Sequence, residues 1–170
     1  MSFGMSLGNS APLRLYAAFE RACARIPWWP VALALRLVIA HPFFVSGQTK
    51  VDGPHYGGVW QGIDFTFKLP TGLRDGIVDL FASEYKLPLL PPALAAYLSA
   101  FMEHALPALI VLGLATRLSA FGLLVMTMVI QIFVYPDAWW TVHSYWAVIL
   151  AALIAKGAGA VSLDRLLGRA

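Results

Sequence analysis

Four long runs of apolar residues alternate with polar segments along the chain. They cover about residues 28–47, 92–114, 118–135 and 139–155, and each is close to the roughly 20 residues that a helix needs to cross the hydrocarbon core of a bilayer. Only short turns separate the last three runs, which forces neighbouring helices to run antiparallel. The pattern predicts an all-α membrane protein, an antiparallel bundle of four transmembrane helices.

The segments outside these runs have a different pattern. Residues 1–27 combine a small, polar tail with a stretch in which Tyr16 and Phe19 recur among arginines, which predicts a short N-terminal amphipathic helix on the membrane surface. Residues 48–91 form one long, glycine-rich outer loop, and a loop of this length is more typical of a packed cap than of a structureless connection. Within it, the apolar spacing over residues 73–85 predicts a short interfacial helix.

Composition supports a membrane protein and predicts its orientation. Hydrophobic residues make up 59% of the chain and charged residues 12%, against about 25% charged residues in soluble domains. Basic residues in the segments on the side of the termini outnumber those on the opposite side by seven to four, and such residues favour the cytoplasmic side. We therefore expect both termini in the cytoplasm, residues 1–27 as a cytoplasmic tail and surface helix, and residues 28–167 as a multi-pass membrane domain. The net charge of +3 gives no support to a nucleic-acid partner.

Two opposite charges interrupt the apolar runs. Arg36 lies in the first predicted span and Glu103 in the second, and a lone charge at bilayer depth costs at least about 2.5–3.5 kcal/mol. Counted from the ends of their helices at 1.5 Å per residue, both side chains reach the middle of the bilayer, so we expect them to pair inside the bundle. Two interpretations stay open, because interior charges mark ligand sites or pathways and a buried pair also fixes helix register.

Further polar residues extend this candidate centre. Ser46 and Lys50 lie at the outer end of the first span, where snorkelling or contact with an anionic headgroup accounts for the lysine. His104 adjoins Glu103, and Gln131 in the third span is expected to face the bundle near Glu103, where it would hydrogen-bond between helices. These residues are the candidates for a ligand-binding centre; no catalytic residue is assigned.

Histidines offer a second, competing type of site. His41, His104 and His143 lie in or near the spans, and imidazole binds both haem iron and copper. No two of them share the spacing that places side chains on one helical face, so a metal site would need three helices to converge. The alternative is that each histidine hydrogen-bonds a neighbouring group. The lone Cys23 excludes an internal dithiol, and no nucleotide-binding, c-type haem or zinc-protease motif is present.

Several stretches together resemble the DoxX family of small four-helix bacterial membrane proteins. The residues that carry the resemblance are Leu35-Arg36, Phe44-Val-Ser-Gly47 with Lys50, Tyr85-Lys-Leu-Pro-Leu-Leu-Pro-Pro92, Glu103 with Pro107, Leu112-Gly-Leu-Ala-Thr-Arg-Leu118 and Gly157-Ala-Gly-Ala-Val-Ser-Leu-Asp164. The resemblance covers nearly all of residues 28–167. It implies a four-helix bundle of the bacterial inner membrane that is often associated with redox enzymes, with relatives among quinone-linked thiosulfate oxidoreductase subunits and amine-dehydrogenase maturation proteins.

Three functions are compatible with this pattern. The resemblance favours an accessory or anchoring subunit of a membrane redox system, with a polar intramembrane cavity for a quinone-like or lipid ligand. Its partner would be a redox enzyme subunit, and the protein could also form an oligomer. A small transporter or membrane chaperone could use the same cavity, and a stand-alone membrane oxidoreductase could use Glu103 for proton transfer. The aromatic residues at the outer end of the last hairpin could stack on a quinone ring, although interfacial belts are built from the same residue types; they are Tyr135, Trp139, Trp140, Tyr145 and Trp146.

Overall fold

A computed structural model describes residues 11–169 and contains seven α-helices within them. The helices are α1 (Ala11–Ala24), α2 (Trp28–Lys50), α3 (Ile77–Leu80), α4 (Pro92–Leu112), α5 (Thr116–Phe133), α6 (Ser144–Lys156) and α7 (Leu163–Leu166). A 3-10 turn and a π-turn precede α6 and extend its span to Pro136–Lys156. Residues 1–10 of the predicted N-terminal tail lie outside the described residues.

The four predicted spans are all present. Helices α2, α4, α5 and the Pro136–Lys156 segment are each long and apolar enough to cross a membrane, which confirms the all-α four-helix membrane fold. Helix α2 packs mainly on α4, and α5 packs mainly on α6. Between the two pairs lies a core of fully buried aliphatic side chains, among them Ile39, Ile110, Leu123, Leu150 and Leu153.

Small residues let α2 and α4 approach closely, and the two helices are staggered along their axes. At Gly47 an added Cβ would lie 2.8 Å from His104 Cε1 and 3.0 Å from Glu103 Cβ, so a larger residue would have to displace the His104 ring. Helix α4 begins eleven residues before Glu103, whereas α2 ends three residues after Gly47. At 1.5 Å per residue, α4 therefore extends about 12 Å beyond α2 on the side of the long loop.

We call this side the loop side and the opposite one the terminal side. The loop itself contains a β-hairpin that the sequence analysis missed. Its strands pair in a nested order, β1 (Val51–Asp52) with β6 (Gly72–Leu73), β2 (His55–Tyr56) with β5 (Phe67–Lys68), and β3 (Val59–Trp60) with β4 (Ile63–Asp64).

Between the hairpin and α4 the chain forms the predicted short helix, although it begins later than expected. Residue 73 belongs to β6, and α3 starts at Ile77 and continues into a π-turn, Phe81–Tyr85. Ile77 and Phe81 are buried against Ala95 and Ala96 of α4. This part of the loop is therefore a packed cap over the loop-side end of the bundle.

Candidate functional site

A buried ion pair joins the loop-side end of α2 to the middle of α4. Lys50 Nζ lies 2.6 Å from Glu103 Oε2, and the two side chains are 7% and 3% exposed. The Ser46 and Ser99 hydroxyls donate to Glu103 Oε1 at 3.3 and 3.2 Å. Lys50 also donates to Ser46 Oγ at 2.9 Å. The carboxylate thus has three donors, which offset part of its desolvation.

Helical spacing explains how these four residues meet. Ser46 and Lys50 are one turn apart on α2, and Ser99 and Glu103 are one turn apart on α4, so each pair shares a helix face. Lys50 joins the buried face of α2 that also carries Arg36, Ala40, Phe43 and Gly47, as the 100° spacing predicts. The expectation that Lys50 snorkels to a headgroup is wrong, because its ammonium group turns inward to Glu103.

The ion pair lines a cavity of about 460 Å³ between α4, α5 and the cap. We call it the α4–α5 cavity. Its walls are otherwise almost entirely apolar and include Leu98, Met102, Leu106, Val125, Met126 and Val129. Leu98 and Val125 are 40% and 47% exposed, so the cavity opens sideways towards lipid. The arrangement is that of a small-molecule site, an apolar pocket with a few convergent polar groups.

Two tyrosines lie at the loop-side end of the α4–α5 cavity. Tyr85 from the cap and Tyr135 beyond α5 both line it, and their ring centroids are 6.4 Å apart in an edge-on arrangement. Burial, followed by hydrogen bonding to Tyr135, raises the pKa of the Tyr85 phenol to about 12, so the phenol stays neutral at physiological pH. Of the five aromatic residues considered for stacking on a quinone ring, only Tyr135 lines the cavity.

Arg36 does not contact Glu103, and the predicted Arg36–Glu103 pair is wrong. Its guanidinium instead donates to four backbone carbonyls, at Ile110 (2.7 Å) and Val111 (2.5 Å) at the end of α4 and at Ala158 (3.2 Å) and Val161 (2.7 Å) after α6. The stagger explains the error. The predicted pairing requires α4 to begin level with the end of α2, but Glu103 lies opposite Gly47, eleven residues or about 16 Å along α2 from Arg36.

The Arg36 contacts form a clamp on the terminal side. The last carbonyls of α4 lack helical partners, and a cation satisfies them well at a helix C-terminus. Gly113 follows with φ +66°, and an added Cβ there would lie 2.9 Å from Arg36 Nη2. Of the two interpretations of Arg36, its geometry therefore supports the structural one.

Asp164 completes this clamp from the C-terminal segment. Its carboxylate accepts hydrogen bonds from the Ala115 and Thr116 amides at 2.7 and 2.8 Å, which are orphan donors at the start of α5. Burial alone would raise the pKa of Asp164, but the two amide hydrogen bonds outweigh it, so the pKa lies below its ordinary value. The carboxylate is thus held ionised at the start of α5.

The remaining candidate residues have structural partners elsewhere. His104 Nδ1 lies 2.7 Å from the Ala100 carbonyl and Nε2 lies 2.8 Å from Gln48 Nε2. Gln131 is not directed at Glu103, contrary to expectation. Its carbonyl lies 2.7 Å from His143 Nδ1, because both side chains belong to the hairpin of α5 and α6. The predicted role of Gln131 in hydrogen bonding between helices is thereby found, with a different partner.

The three histidines do not come together. His41 is exposed on α2, while His104 and His143 have the partners given above. Among residues 11–169, no group of three histidine, cysteine, aspartate or glutamate side chains could hold a metal ion. The convergence of three histidines considered from the sequence is therefore not found in this part of the chain.

The family model for DoxX matches residues 31–136, more than half of the chain. The chain belongs to the DoxX family. The matched DoxX region contains Arg36, Ser46, Lys50 and Glu103, and it ends before Asp164. No curated protein and no solved structure matches the chain.

Sequence reasoning brought together three of the residues at this site and missed others. The candidate centre comprised Arg36, Ser46, Lys50, Glu103, His104 and Gln131, and of these the structure brings Ser46, Lys50 and Glu103 into contact. Ser99 was missed, although its position one turn before Glu103 was a usable signal. Tyr85 was missed because its contact with the cavity depends on how the cap folds over α4.

Proposed function

We propose that this DoxX protein binds a quinone-like or lipid ligand in the α4–α5 cavity and serves as an accessory or anchoring subunit of a membrane redox system. The observation that carries the proposal is the buried Lys50–Glu103 pair in the wall of an otherwise apolar cavity of about 460 Å³. A quinone has the matching chemistry, with polar oxygens on a ring and an apolar tail. The redox part of the proposal is supported by the family resemblance.

Lys50 offers a ligand oxygen a hydrogen bond at little cost. Two of its donors make good bonds, to Glu103 Oε2 and Ser46 Oγ, whereas its contact with the Ser46 carbonyl is 3.4 Å long. A ligand carbonyl could replace that long contact without breaking the ion pair. The apolar walls would hold the tail, and the sideways opening between Leu98 and Val125 would admit it from the bilayer.

The filled terminal-side half of the bundle favours binding over transport. The buried aliphatic core around Leu123 and Leu150 packs beside the cavity, and the Arg36 clamp joins the helices at the terminal side. A transporter or a chaperone that passes cargo across the bilayer would need this half to open. A stand-alone oxidoreductase would use the same ion pair, with Glu103 as its proton-transfer group, and would differ by turning over substrate without a partner.

We place the protein in the bacterial inner membrane with both termini in the cytoplasm. The even number of spans puts α1 and α7 on one side, and this side carries most of the basic residues outside the bundle. The α4–α5 cavity then lies in the outer half of the membrane.

The test is to identify what the purified protein carries. Solvent extracts of the wild type and of two tryptophan variants would be analysed by mass spectrometry, with optical spectra recorded before extraction. Val129→Trp fills the cavity wall, and Val148→Trp places the same side chain on an exposed position of α6. We expect an enriched quinone or lipid in the wild type and in Val148→Trp, and its loss in Val129→Trp. Equal extracts from all three proteins would contradict the proposal.

A further inference from the structure

The loop-side β-hairpin has two chemically different faces. From His55 to Lys68 the strands keep one register, with Tyr56 opposite Phe67 and Trp60 opposite Ile63, so alternate side chains fall on opposite faces. One face carries the apolar residues Tyr56, Trp60, Ile63, Phe65, Phe67 and Leu69. We call it the aromatic face.

The opposite face is mainly polar. It carries His55, Asp64, Thr66 and Lys68, with Val59 as its one large apolar residue. Lys68 is tied to the bundle, because its backbone amide and carbonyl both bond the Gln48 side chain at the end of α2. The base of the hairpin is therefore fixed to a spanning helix.

The aromatic face is uncovered although its residues are large. Each of its six side chains is exposed, Trp60 by 65%. A two-stranded hairpin is only marginally stable in water without a further layer, and a contiguous apolar patch of this kind marks an interaction surface.

The position of the hairpin indicates that lipid covers its aromatic face. The hairpin starts at Val51, directly after the last residue of spanning helix α2, and α4 extends about 12 Å further on this side. It therefore leaves the bundle at bilayer level. Tryptophan and tyrosine are the residues that settle at headgroups. The unpaired strand edges and the polar face keep the hairpin out of the hydrocarbon core, where exposed backbone groups are not tolerated.

We propose that the aromatic face of the hairpin lies in the headgroup layer of the loop-side leaflet and binds the lipid surface. The polar face then points to water. This surface is separate from the α4–α5 cavity and does not depend on what the cavity binds.

Adjacent residues on opposite faces provide a matched test. Spin labels would be attached to Phe65→Cys and, as control, Thr66→Cys, both in a Cys23→Ser background and with the full chain in liposomes of phosphatidylethanolamine and phosphatidylglycerol. Oxygen, which concentrates in lipid, and a water-soluble nickel complex would serve as relaxing agents. We expect the label at 65 to respond several-fold more to oxygen than to nickel, and the label at 66 to show the reverse.

Two results would overturn the proposal. Equal nickel accessibility at both positions would mean that the aromatic face is in water. Protection of position 65 from both agents would mean that protein covers it, either a second copy or another chain. If both labelled variants keep a Tm close to that of the wild type in detergent, the comparison is made on folded protein.

Discussion

Replacing the charges of Lys50 and Glu103 singly and together gives the sharpest test of the buried pair. Lys50→Met and Glu103→Gln preserve side-chain size and each leaves the partner charge buried and unpaired. Removing one partner of a buried pair typically lowers the free energy of unfolding by about 3–5 kcal/mol, whereas replacing both charges lowers it much less. For a chain of this length, each kcal/mol corresponds to about 2–4 °C in Tm, so each single variant should melt roughly 6–20 °C below the wild type.

The double variant decides whether the two charges act on each other. Contact between Lys50 Nζ and Glu103 Oε2 at 2.6 Å predicts a strongly non-additive cycle, with the double variant more stable than at least one single variant. Additive losses would refute the ion pair as an energetic unit. Thermal melting of purified protein in one detergent, followed by tryptophan fluorescence, supplies all four values.

Arg36 provides the matched negative control. Lys50 lies fourteen residues after Arg36 on α2, a separation of about 21 Å along the axis, and sites more than about 7–10 Å apart usually behave additively. Arg36→Leu should itself be destabilising, because it leaves four carbonyl acceptors without their donor. When Arg36→Leu is combined with Glu103→Gln, the two losses of stability should add. Strong coupling between these two positions would mean that Arg36 and Glu103 interact directly, which would contradict the structure.

Three further outcomes follow from single sites. Gly47→Ala should destabilise the protein, because its Cβ would meet His104 at 2.8 Å; a Tm equal to that of the wild type would contradict the close crossing. Because the pKa of Asp164 is lowered in the folded protein, its carboxylate stabilises the fold at pH values above the ordinary pKa of 3.8. This contribution is lost as the pH falls through the lowered pKa. The Tm advantage over Asp164→Asn should therefore shrink in melts at acidic pH and persist at neutral pH. A membrane-impermeant thiol reagent applied to intact spheroplasts should leave Cys23 unlabelled and should label Val59→Cys in a Cys23→Ser background; the reverse pattern would invert the topology.

The spans could be predicted because bilayer thickness imposes a length on any apolar helix. The run that begins at Trp28 had to form a helix of about 20 residues, and α2 does so, continuing to Lys50. The stagger of α2 and α4 could not be predicted in the same way. It depends on where Gly47 lets the helices cross, and this contact joins residues far apart in the sequence.

The hairpin was missed although local signals were present. Tyr56, Trp60, Phe65 and Phe67 fall on alternate positions of paired strands, and Gln61 and Gly62 at the tip both have positive φ, as a tight hairpin turn requires. The many glycines elsewhere in the loop interrupt the alternation and obscured this pattern. The partner of Lys50 was likewise hidden, because snorkelling is the ordinary behaviour of a lysine at the end of a span.

Titration of decylubiquinone into the purified protein tests the central claim, ligand binding in the α4–α5 cavity, most directly. Isothermal calorimetry in detergent would compare the wild type with Val129→Trp, which fills the cavity wall, and with Val148→Trp, which faces outward. We predict saturable binding to the wild type and to Val148→Trp, and at least a tenfold weaker affinity for Val129→Trp. Binding that is absent from all three proteins, or equally strong in Val129→Trp, would contradict a quinone site in this cavity.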